Sequence, residues 1–509
     1  MYCDEIKLMK AYALTRVFCL PSLLAALAIA ACASVDAEPA ESTWRHVENG
    51  QTYEVADQFG PEKLDYKVHW DSFILDETDG AAGSVISGTS YLRKCDCVPS
   101  QRPVVFLFNG GPGASSSPLH FALGPHTRER GAATFPDNSN TILRSADLVF
   151  IDPVETGFSR AAAPDGTSRF LGVDGDVEAV SAFIHNWMTA HERDSAPVFI
   201  VGQSYGGFRL ANLLPSVGDV NVQGLVMVSP MLNASASASD LGNVFAFPTM
   251  VATAWRFGKS SIEASGEAEA WEGARRFSET ELLVALEQGD LLDQSEKQRL
   301  ASEIASMTGL PADLVLEANL RVDIQDFLET LLADDQLLVS RLNTAKTEAT
   351  KPAPANPDRP AAANDPSLGL GRSNKILAAD IAAYLTDMTG LDRGEEYRSL
   401  NLDANFAWDW SGANRELFYA DATPLVAEFM GANTDARLLV FGGYRDLATP
   451  LLATRYALNH GGLPQARVEL AMLPSGHSPF DEEALKAPFA ERIYAFIQTH
   501  TATMAAKGD

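Results

Sequence analysis

The chain has 509 residues, of which 46% are hydrophobic and 21% charged, so it can bury one large core or two ordinary ones and is neither disordered nor fibrous. Its formal net charge is −28. Such a field repels phosphate backbones, so the composition argues against nucleic acid as a partner and is typical of a highly soluble protein.

The first residues, 1–33, have the pattern of a signal peptide. Lys10 and Arg16 precede an apolar run that is too short for a comfortable membrane span. Two processing routes fit: Ala-Cys-Ala at 31–33 suits ordinary signal peptidase, and Ile-Ala-Ala-Cys at 29–32 resembles the bacterial lipoprotein box, which would attach a lipid anchor to Cys32. Both routes predict an exported protein, periplasmic or extracellular, and the second predicts one anchored to a membrane as a lipoprotein.

Alternation and turn residues at about 53–92 predict antiparallel strands at the first edge of a mixed sheet. Cys95 and Cys97 follow. Two thiols without a nearby histidine make a poor zinc site, and a disulfide across one residue closes a tight ring. We therefore expect this pair to sit in a surface hairpin, with its redox state left open by the sequence, and the fold to be held by its core.

Six short, continuous apolar runs then predict strands that are covered on both faces, with helical stretches such as 175–188 between them. This alternation predicts an α/β fold, with a mixed, mostly parallel sheet and helices on both of its faces. The six runs lie at 103–108, 146–151, 197–201, 224–229, 437–441 and 468–473.

Between 233 and 410 no strand pattern occurs, and amphipathic stretches predict a helical insertion. Inside it, the proline- and alanine-rich stretch 347–366 lacks periodicity and predicts an exposed loop. An insertion after the strand at 224–229 would lie over the carboxyl edge of the sheet, as a lid that shapes a substrate cleft. The predicted organisation is a signal peptide at 1–33, the two parts of one core at 40–232 and 411–509, and the lid at 233–410.

The run at 197–201 ends at Gly-Gln-Ser-Tyr-Gly, 202–206, and a helix-compatible stretch begins directly behind it. This is the layout of a nucleophile elbow, in which two glycines allow a sharp strand-to-helix turn that exposes a serine hydroxyl. Ser204 is the candidate nucleophile, and an ordinary glycine-rich turn is the alternative.

A serine hydroxyl needs a neutral imidazole to take its proton, and the imidazole needs a carboxylate to fix its tautomer. Asp446 and His477 each follow an apolar strand, in the order Ser, Asp, His. A helix N-cap is the alternative role for Asp446, and a buried structural histidine is the alternative for His477.

The tetrahedral intermediate also needs hydrogen-bond donors. The N–H group of Tyr205 is one candidate. A second must come from an early loop, and Asn-Gly-Gly-Pro-Gly at 109–113, the NGGPG loop, directly follows a strand. Such a loop could also cradle a phosphate, but no Lys-Ser/Thr pair follows it, so we favour the oxyanion role.

These motifs, with FNGGPGASS at 108–116 and DLVFIDPVETGFS at 147–159, resemble the serine carboxypeptidase family in its bacterial form, over about 50–500 apart from the insertion. The resemblance implies an α/β-hydrolase fold, release of C-terminal amino acids from peptide substrates, and neither a metal nor an organic cofactor. It assigns a triad of Ser204, Asp446 and His477, oxyanion donors at Gly111 and Tyr205, and ligands of the substrate's terminal carboxylate at Asn109, Gly110 and Gln203.

Two departures from the acid members of that family matter. The acid members carry one glutamate directly before the nucleophile and a second after the NGGPG loop. At these two positions this chain has Gln203 and Ala122. A carboxyl pair binds an anion well only while it is protonated, whereas glutamine needs no proton. We therefore predict a pH optimum nearer neutrality, limited on the acid side by protonation of His477.

Two other classes of function compete with a carboxypeptidase. The fold and the triad do not determine which acyl substrate is used, so an esterase, an acyltransferase or another peptidase could have the same catalytic residues. A non-catalytic binding protein on the same scaffold is the third class, and the intact Ser204, Asp446 and His477 argue against it.

Overall fold

A computed structural model describes residues 43–56, 63–76, 82–128, 134–161, 169–351, 354–413 and 419–508. The predicted signal peptide at 1–33, with Cys32, lies outside the described residues. None of the helices in the described part of the chain combines the length and apolarity that a membrane crossing requires.

One mixed sheet organises the molecule, in the strand order β1-β2-β3-β5-β4-β7-β8-β13-β14, with the short β6 beside β3. Pairing is antiparallel from β1 to β5 and parallel from β5 to β14. Two further two-stranded sheets pair β9 with β10 and β11 with β12. The strands are β1 Thr43–Ala56, β2 Lys63–Asp76, β3 Ala82–Arg93, β4 Val104–Phe108, β5 Asp147–Asp152, β6 Arg160–Ala161, β7 Val198–Gln203, β8 Val222–Val228, β9 Leu337–Val339, β10 Thr347–Ala349, β11 Lys375–Leu377, β12 Arg398–Asn401, β13 Arg437–Gly443 and β14 Val468–Leu473.

Helices cover both faces of this sheet, and each face carries its own buried apolar cluster. Helices α2, α3 and α13 pack on one face, and α1, α11 and α15 pack on the other. The helices are α1 Ser117–Leu123, α2 Val173–Ala190, α3 Tyr205–Leu213, α4 Ala234–Ser237, α5 Leu241–Arg256, α6 Glu267–Phe277, α7 Leu283–Gln288, α8 Gln294–Thr308, α9 Ala312–Glu317, α10 Ile324–Thr330, α11 Ala379–Thr389, α12 Leu402–Phe406, α13 Thr423–Ala432, α14 Leu451–His460 and α15 Glu483–Gly508.

The strand register places one edge of the sheet where the candidate site residues lie. Leu107, Val201, Val226 and Leu439 are aligned across β4, β7, β8 and β13. Because these strands are parallel, their carboxyl ends meet at the same edge, and the loops that follow them are neighbours.

The predicted fold class is confirmed, and the six apolar runs coincide with β4, β5, β7, β8, β13 and β14. The expectation that all six are covered on both faces is wrong for β14, whose residues are half-buried or exposed. The reason is its position, because β14 is the outermost strand beside β13 and has a strand neighbour on only one side.

The stretch 233–410, predicted as one helical insertion, divides in two in the structure. Residues between 236 and 339 form a separate apolar core, which also takes in Tyr444, Leu447 and Leu451 from beyond the insertion. The later part returns to the sheet, where α11 joins the apolar cluster on one face. The described residues form a single compact unit.

The prediction of a featureless exposed loop at 347–366 needs a correction. Its first residues form β10, paired with β9, and Arg359 is buried. The Arg359 guanidinium donates to the carbonyl oxygens of Gly371 and Ser373. A loop without apolar periodicity can fold in this way because guanidinium donors satisfy several carbonyls at once.

The expected surface position of the cysteine pair is confirmed. Cys95 and Cys97 lie in an exposed turn after β3, where they form a disulfide. The buried apolar clusters on the two sheet faces nevertheless hold the fold, because this bridge closes a loop of only a few residues.

Candidate active site

Ser204 lies at a sharp turn between β7 and α3. Its backbone has φ 60° and ψ −126°, a conformation that residues other than glycine rarely adopt. A Cβ atom on Gly202 would lie 2.2 Å from the carbonyl oxygen of Gly206, so the turn can be this tight only without that side chain. The turn therefore has the strand-to-helix geometry of an elbow, and Ser204 at its tip is partly exposed.

His477 and Asp446 meet on the loops that follow β14 and β13. The distance from His477 Nδ1 to Asp446 Oδ2 is 2.8 Å, and the carboxylate is fully buried. Asp446 Oδ1 also accepts the N–H groups of Ala448, at 2.8 Å, and Thr449, at 3.0 Å. Helix α14 begins only at Leu451, so Asp446 stabilises the preceding turn and is not the cap of that helix.

This hydrogen bond also sets the tautomer of His477. When Nδ1–H donates to the carboxylate, Nε2 carries a lone pair that can accept a proton from a serine hydroxyl. No described side chain forms a hydrogen bond with the Ser204 hydroxyl in this structure. Hydrogen bonds of this kind are often long before substrate binds and shorten in the substrate complex.

Gln203 links the elbow to the His477 loop. Its Nε2 donates to the carbonyl oxygen of His477, at 3.1 Å, and to Ser478 Oγ, at 2.9 Å. Its Oε1 accepts a hydrogen bond from Asn109 Nδ2. Both N–H protons of this buried amide are therefore used within the protein.

The NGGPG loop lies directly against the elbow. A Cβ atom on Gly110 would lie 2.5 Å from the main-chain nitrogen of Tyr205, and Gly111 has φ 101°, which favours glycine. Across the described residues, neither the N–H group of Gly111 nor that of Tyr205 donates to a protein acceptor. Two main-chain donors are thus available next to Ser204, as an oxyanion hole requires.

The three predicted carboxylate ligands, Asn109, Gly110 and Gln203, also lie together. Asn109 and Gln203 are only 4% and 3% exposed and bind each other. Direct contact between Gln203 and a substrate stays a prediction, because its amide would have to give up the His477 carbonyl or Ser478.

Thr449 is a site residue that the sequence reasoning missed. Its Oγ1 lies 2.7 Å from Asp446 Oδ2, 2.9 Å from the carbonyl oxygen of Ser229 and 3.2 Å from His477 Nδ1. The spacing Asp-Leu-Ala-Thr was the available signal, since a hydroxyl three residues after an aspartate can close a turn onto its carboxylate.

A buried ion pair behind the nucleophile was missed as well. Arg209 Nε lies 2.6 Å from Asp176 Oδ2, and both side chains are inaccessible to solvent. The same guanidinium donates to the main-chain carbonyl of Asn109, which ties the NGGPG loop to α2 and α3. Burial raises the pKa of Asp176, and Arg209 opposes that rise. A lone arginine in an otherwise apolar helix was the only sequence signal.

The returning part of the insertion holds the NGGPG loop from the other side. The N–H group of Asn401, in β12, donates to the carbonyl oxygen of Gly113, at 2.8 Å, and Ser115 N–H donates to the carbonyl of Ser399, at 3.1 Å. The loop is thus fixed between β12 and the elbow. Among the described residues, no group of three or more His, Cys, Asp or Glu side chains is placed to bind a metal ion.

The strand order, the elbow after β7 and the acid and imidazole loops after β13 and β14 define an α/β-hydrolase fold. Residues 91–271 match the family model of the serine carboxypeptidases, so the resemblance to that family is confirmed over this part of the chain. The matched part includes the NGGPG loop and Ser204. It ends before Asp446 and His477, and the bacterial form of the family stays a prediction.

Two curated relatives bear the name of the same family. Serine carboxypeptidase-like 13 of Arabidopsis thaliana is 26% identical over 153 residues, which cover 28% of this chain and 35% of that protein. Serine carboxypeptidase-like 36 of the same plant is 31% identical over 154 residues, which cover 28% of this chain and 31% of that protein. The chain therefore matches about a third of the length of these relatives.

Among solved structures, a prohormone-processing carboxypeptidase from Saccharomyces cerevisiae is similar to this chain with a TM-score of 0.47 and 14% identity, over 88% of this chain and 91% of that one. An esterase from Exiguobacterium antarcticum is similar with a TM-score of 0.34 and 12% identity, over 84% of this chain and 98% of that one.

The Arg209–Asp176 pair leads to a stability prediction. Arg209→Met should lower the free energy of unfolding by about 3–5 kcal/mol, because it leaves the Asp176 carboxylate buried without a cation. Urea unfolding followed by circular dichroism measures this loss.

Two further variants complete that experiment. Arg209→Met/Asp176→Leu should be more stable than Arg209→Met alone, since no charge is left buried. Arg492→Met, which breaks an exposed pair with Glu469, should change the free energy by less than about 0.5 kcal/mol. A double variant no more stable than the single one would contradict the pairing.

Proposed function

We propose that this protein is a serine-type carboxypeptidase that releases C-terminal amino acids from peptides. The observation that carries the proposal is the 2.8 Å hydrogen bond between His477 and the buried Asp446, on loops at the same sheet edge as the Ser204 elbow. The similarity of residues 91–271 to serine carboxypeptidases supports the choice of substrate class.

The reaction would proceed through an acyl-enzyme. Ser204 Oγ attacks the last peptide carbonyl while His477 Nε2 takes its proton, and Asp446 stabilises the imidazolium that forms. His477 then gives the proton to the departing amino acid. Water, activated by the same imidazole, hydrolyses the ester. The N–H groups of Gly111 and Tyr205 stabilise the negative charge on the oxygen in both steps.

Recognition of the substrate's terminal carboxylate is assigned to Asn109, Gly110 and Gln203. Asn109 Nδ2 has a second proton beyond the one given to Gln203, and Gly110 brings main chain against the elbow. These neutral donors can bind an anion without first taking up a proton. None of the proposed steps requires a metal or an organic cofactor.

An esterase or acyltransferase is the second candidate function, and one observation favours it. Both protons of the Gln203 amide are engaged by the His477 loop, and position 122 holds alanine, so the site offers few donors for a terminal carboxylate. An acyl substrate without a free carboxylate would need none of them.

Replacing the nucleophile tests the proposed chemistry. Ser204→Ala should lower kcat on a blocked dipeptide by roughly 10⁴–10⁶-fold and abolish fluorophosphonate labelling, because no hydroxyl remains to be acylated. Labelling is read by mass spectrometry of the intact protein. Labelling that survives Ser204→Ala would remove Ser204 from its role.

Two comparisons sharpen that test. Ser181→Ala, on α2, changes a partly exposed serine that bonds its own helix, and it should label like the wild type. The wild type should cleave a blocked dipeptide with a free carboxyl terminus and leave the corresponding C-terminal amide intact. Turnover of esters without cleavage of the free-acid dipeptide would favour the second candidate.

The pH profile is the next prediction. The kcat/KM of the wild type should fall as the pH is lowered from neutrality, because protonated His477 cannot accept the serine proton. No activity should be gained at acid pH, since a glutamine replaces the carboxyl before the nucleophile. A profile that peaks below about pH 5 would contradict this.

Gln203→Glu provides the matched comparison. Its activity should fall as the pH rises and the new carboxyl group ionises, because a carboxylate cannot donate to the His477 carbonyl or to Ser478. Gln223→Glu, on an exposed part of β8, should keep the wild-type profile.

We also propose that the protein is exported and that its leader is removed, either directly before Cys32 or after Ala33. The mass of the mature N-terminus tests this. A diacylated or triacylated Cys32 indicates the lipoprotein route, and an unmodified new N-terminus a few residues away indicates ordinary signal peptidase. A mature protein that retains residues 1–33 would contradict export.

A further inference from the structure

Residues 341–344 of the insertion, which we call the strap, run between the two loops that carry the acid and the imidazole. On one side the strap pairs with the acid loop through two main-chain hydrogen bonds. Thr344 N–H donates to the carbonyl of Arg445, at 3.0 Å, and Leu447 N–H donates to the carbonyl of Arg341, at 3.0 Å. The two residues that flank the acid are therefore both held by the insertion.

On its other side the strap holds the imidazole loop. The N–H group of His477 donates to the carbonyl of Leu342, at 2.7 Å. The approach is close, because a Cβ atom on Gly476 would lie 2.4 Å from that same oxygen and 2.5 Å from the Cβ atom of Asn343. Gly476 does not have a positive φ, so this contact, and not its own backbone, is what requires a glycine.

Side chains fix the strap itself in place. Asn343 Nδ2 donates to Glu482 Oε1, at 2.7 Å, on the segment that follows the His477 loop. The hydroxyl of Thr344 accepts a hydrogen bond from Thr253 Oγ1, at 2.6 Å, on helix α5 of the insertion. Asn343 is 6% exposed and Thr344 is 0% exposed. Thr344 thus attaches the strap to the insertion, and Asn343 attaches it to the segment after the His477 loop.

We propose that the strap is a positioning element for the Asp446–His477 pair, so that the insertion takes part in catalysis as well as covering the cleft. This rests on the proposed function. The acid and the imidazole come from loops 31 residues apart in sequence, and the strap connects them through hydrogen bonds to the main chain next to both. A misplacement of about 1 Å in such a pair can cost about 10²-fold in rate.

Two substitutions disturb the strap without touching the reacting atoms. Asn343→Ala removes the hydrogen bond to Glu482, and Gly476→Ala places a methyl group against the Leu342 carbonyl. Each should lower kcat by about 10–100-fold, with KM changed by less than about twofold, because neither Asn343 nor Gly476 is among the proposed substrate-binding residues. Fluorophosphonate labelling should slow by a similar factor.

Matched variants separate positioning from a general loss of stability. Glu482→Gln keeps an acceptor for Asn343 and should retain kcat within about twofold, whereas Glu482→Ala should resemble Asn343→Ala. Val315→Ala removes buried apolar contacts from the insertion core, away from the strap, and should lower the unfolding temperature without lowering kcat at 25 °C. Equal losses of kcat in Val315→Ala and Asn343→Ala would overturn the proposal.

A spectroscopic measurement tests the strap independently of catalysis. The proton on His477 Nδ1 should give a downfield resonance in the wild type, and this resonance should be absent in Asp446→Ala. It should shift or broaden in Asn343→Ala and Gly476→Ala, and stay unchanged in Glu482→Gln. An unchanged resonance together with wild-type kcat in both strap variants would refute the proposal. A wild type that neither labels nor cleaves would refute the proposed function, and the resonance would still test the strap.

Discussion

The hydrogen bond between Asp446 and His477 is the interaction on which the rest of the site depends. A fully buried carboxylate is costly unless its charge is matched by donors, and here two main-chain N–H groups, the Thr449 hydroxyl and the imidazole supply them. These donors offset the burial of the carboxylate, and its hydrogen bond to Nδ1 holds the imidazole in one orientation. An exposed carboxylate would be screened by water and would hold the ring less firmly.

Two other elements hold His477 from different directions. Gln203 bonds the carbonyl of His477 from the elbow side, and the strap bonds its N–H group from the insertion. Behind the elbow, Arg209 and Asp176 secure the NGGPG loop. The two amide donors of the candidate oxyanion hole and the imidazole are therefore fixed to a common frame, which reduces the reorganisation needed during reaction.

The insertion is part of this frame. Its separate apolar core includes Tyr444 and Leu447 from the acid loop, and its returning strand β12 pairs with the NGGPG loop. The acid loop and the NGGPG loop thus both contact the insertion, through main-chain hydrogen bonds or shared core. For this reason, changes in the contacts between the insertion and these loops are expected to shift the candidate catalytic residues.

The sequence by itself determined the sheet, the elbow and the candidate triad, because these depend on local patterns: apolar runs of strand length, glycines at a tight turn, and polar residues just after strands. It failed where the structure depends on partners distant in the chain. Asp446 and His477 are 31 residues apart, and nothing in the sequence indicated that residues 341–344 lie between their loops. The apolar run at 468–473 did not indicate that β14 is an edge strand. Tertiary packing likewise decided the hydrogen bonds of Gln203, the pairing of Arg209 with Asp176 and the division of the insertion into two parts. Hydrogen-bond partners and burial follow from spatial neighbours and not from sequence neighbours.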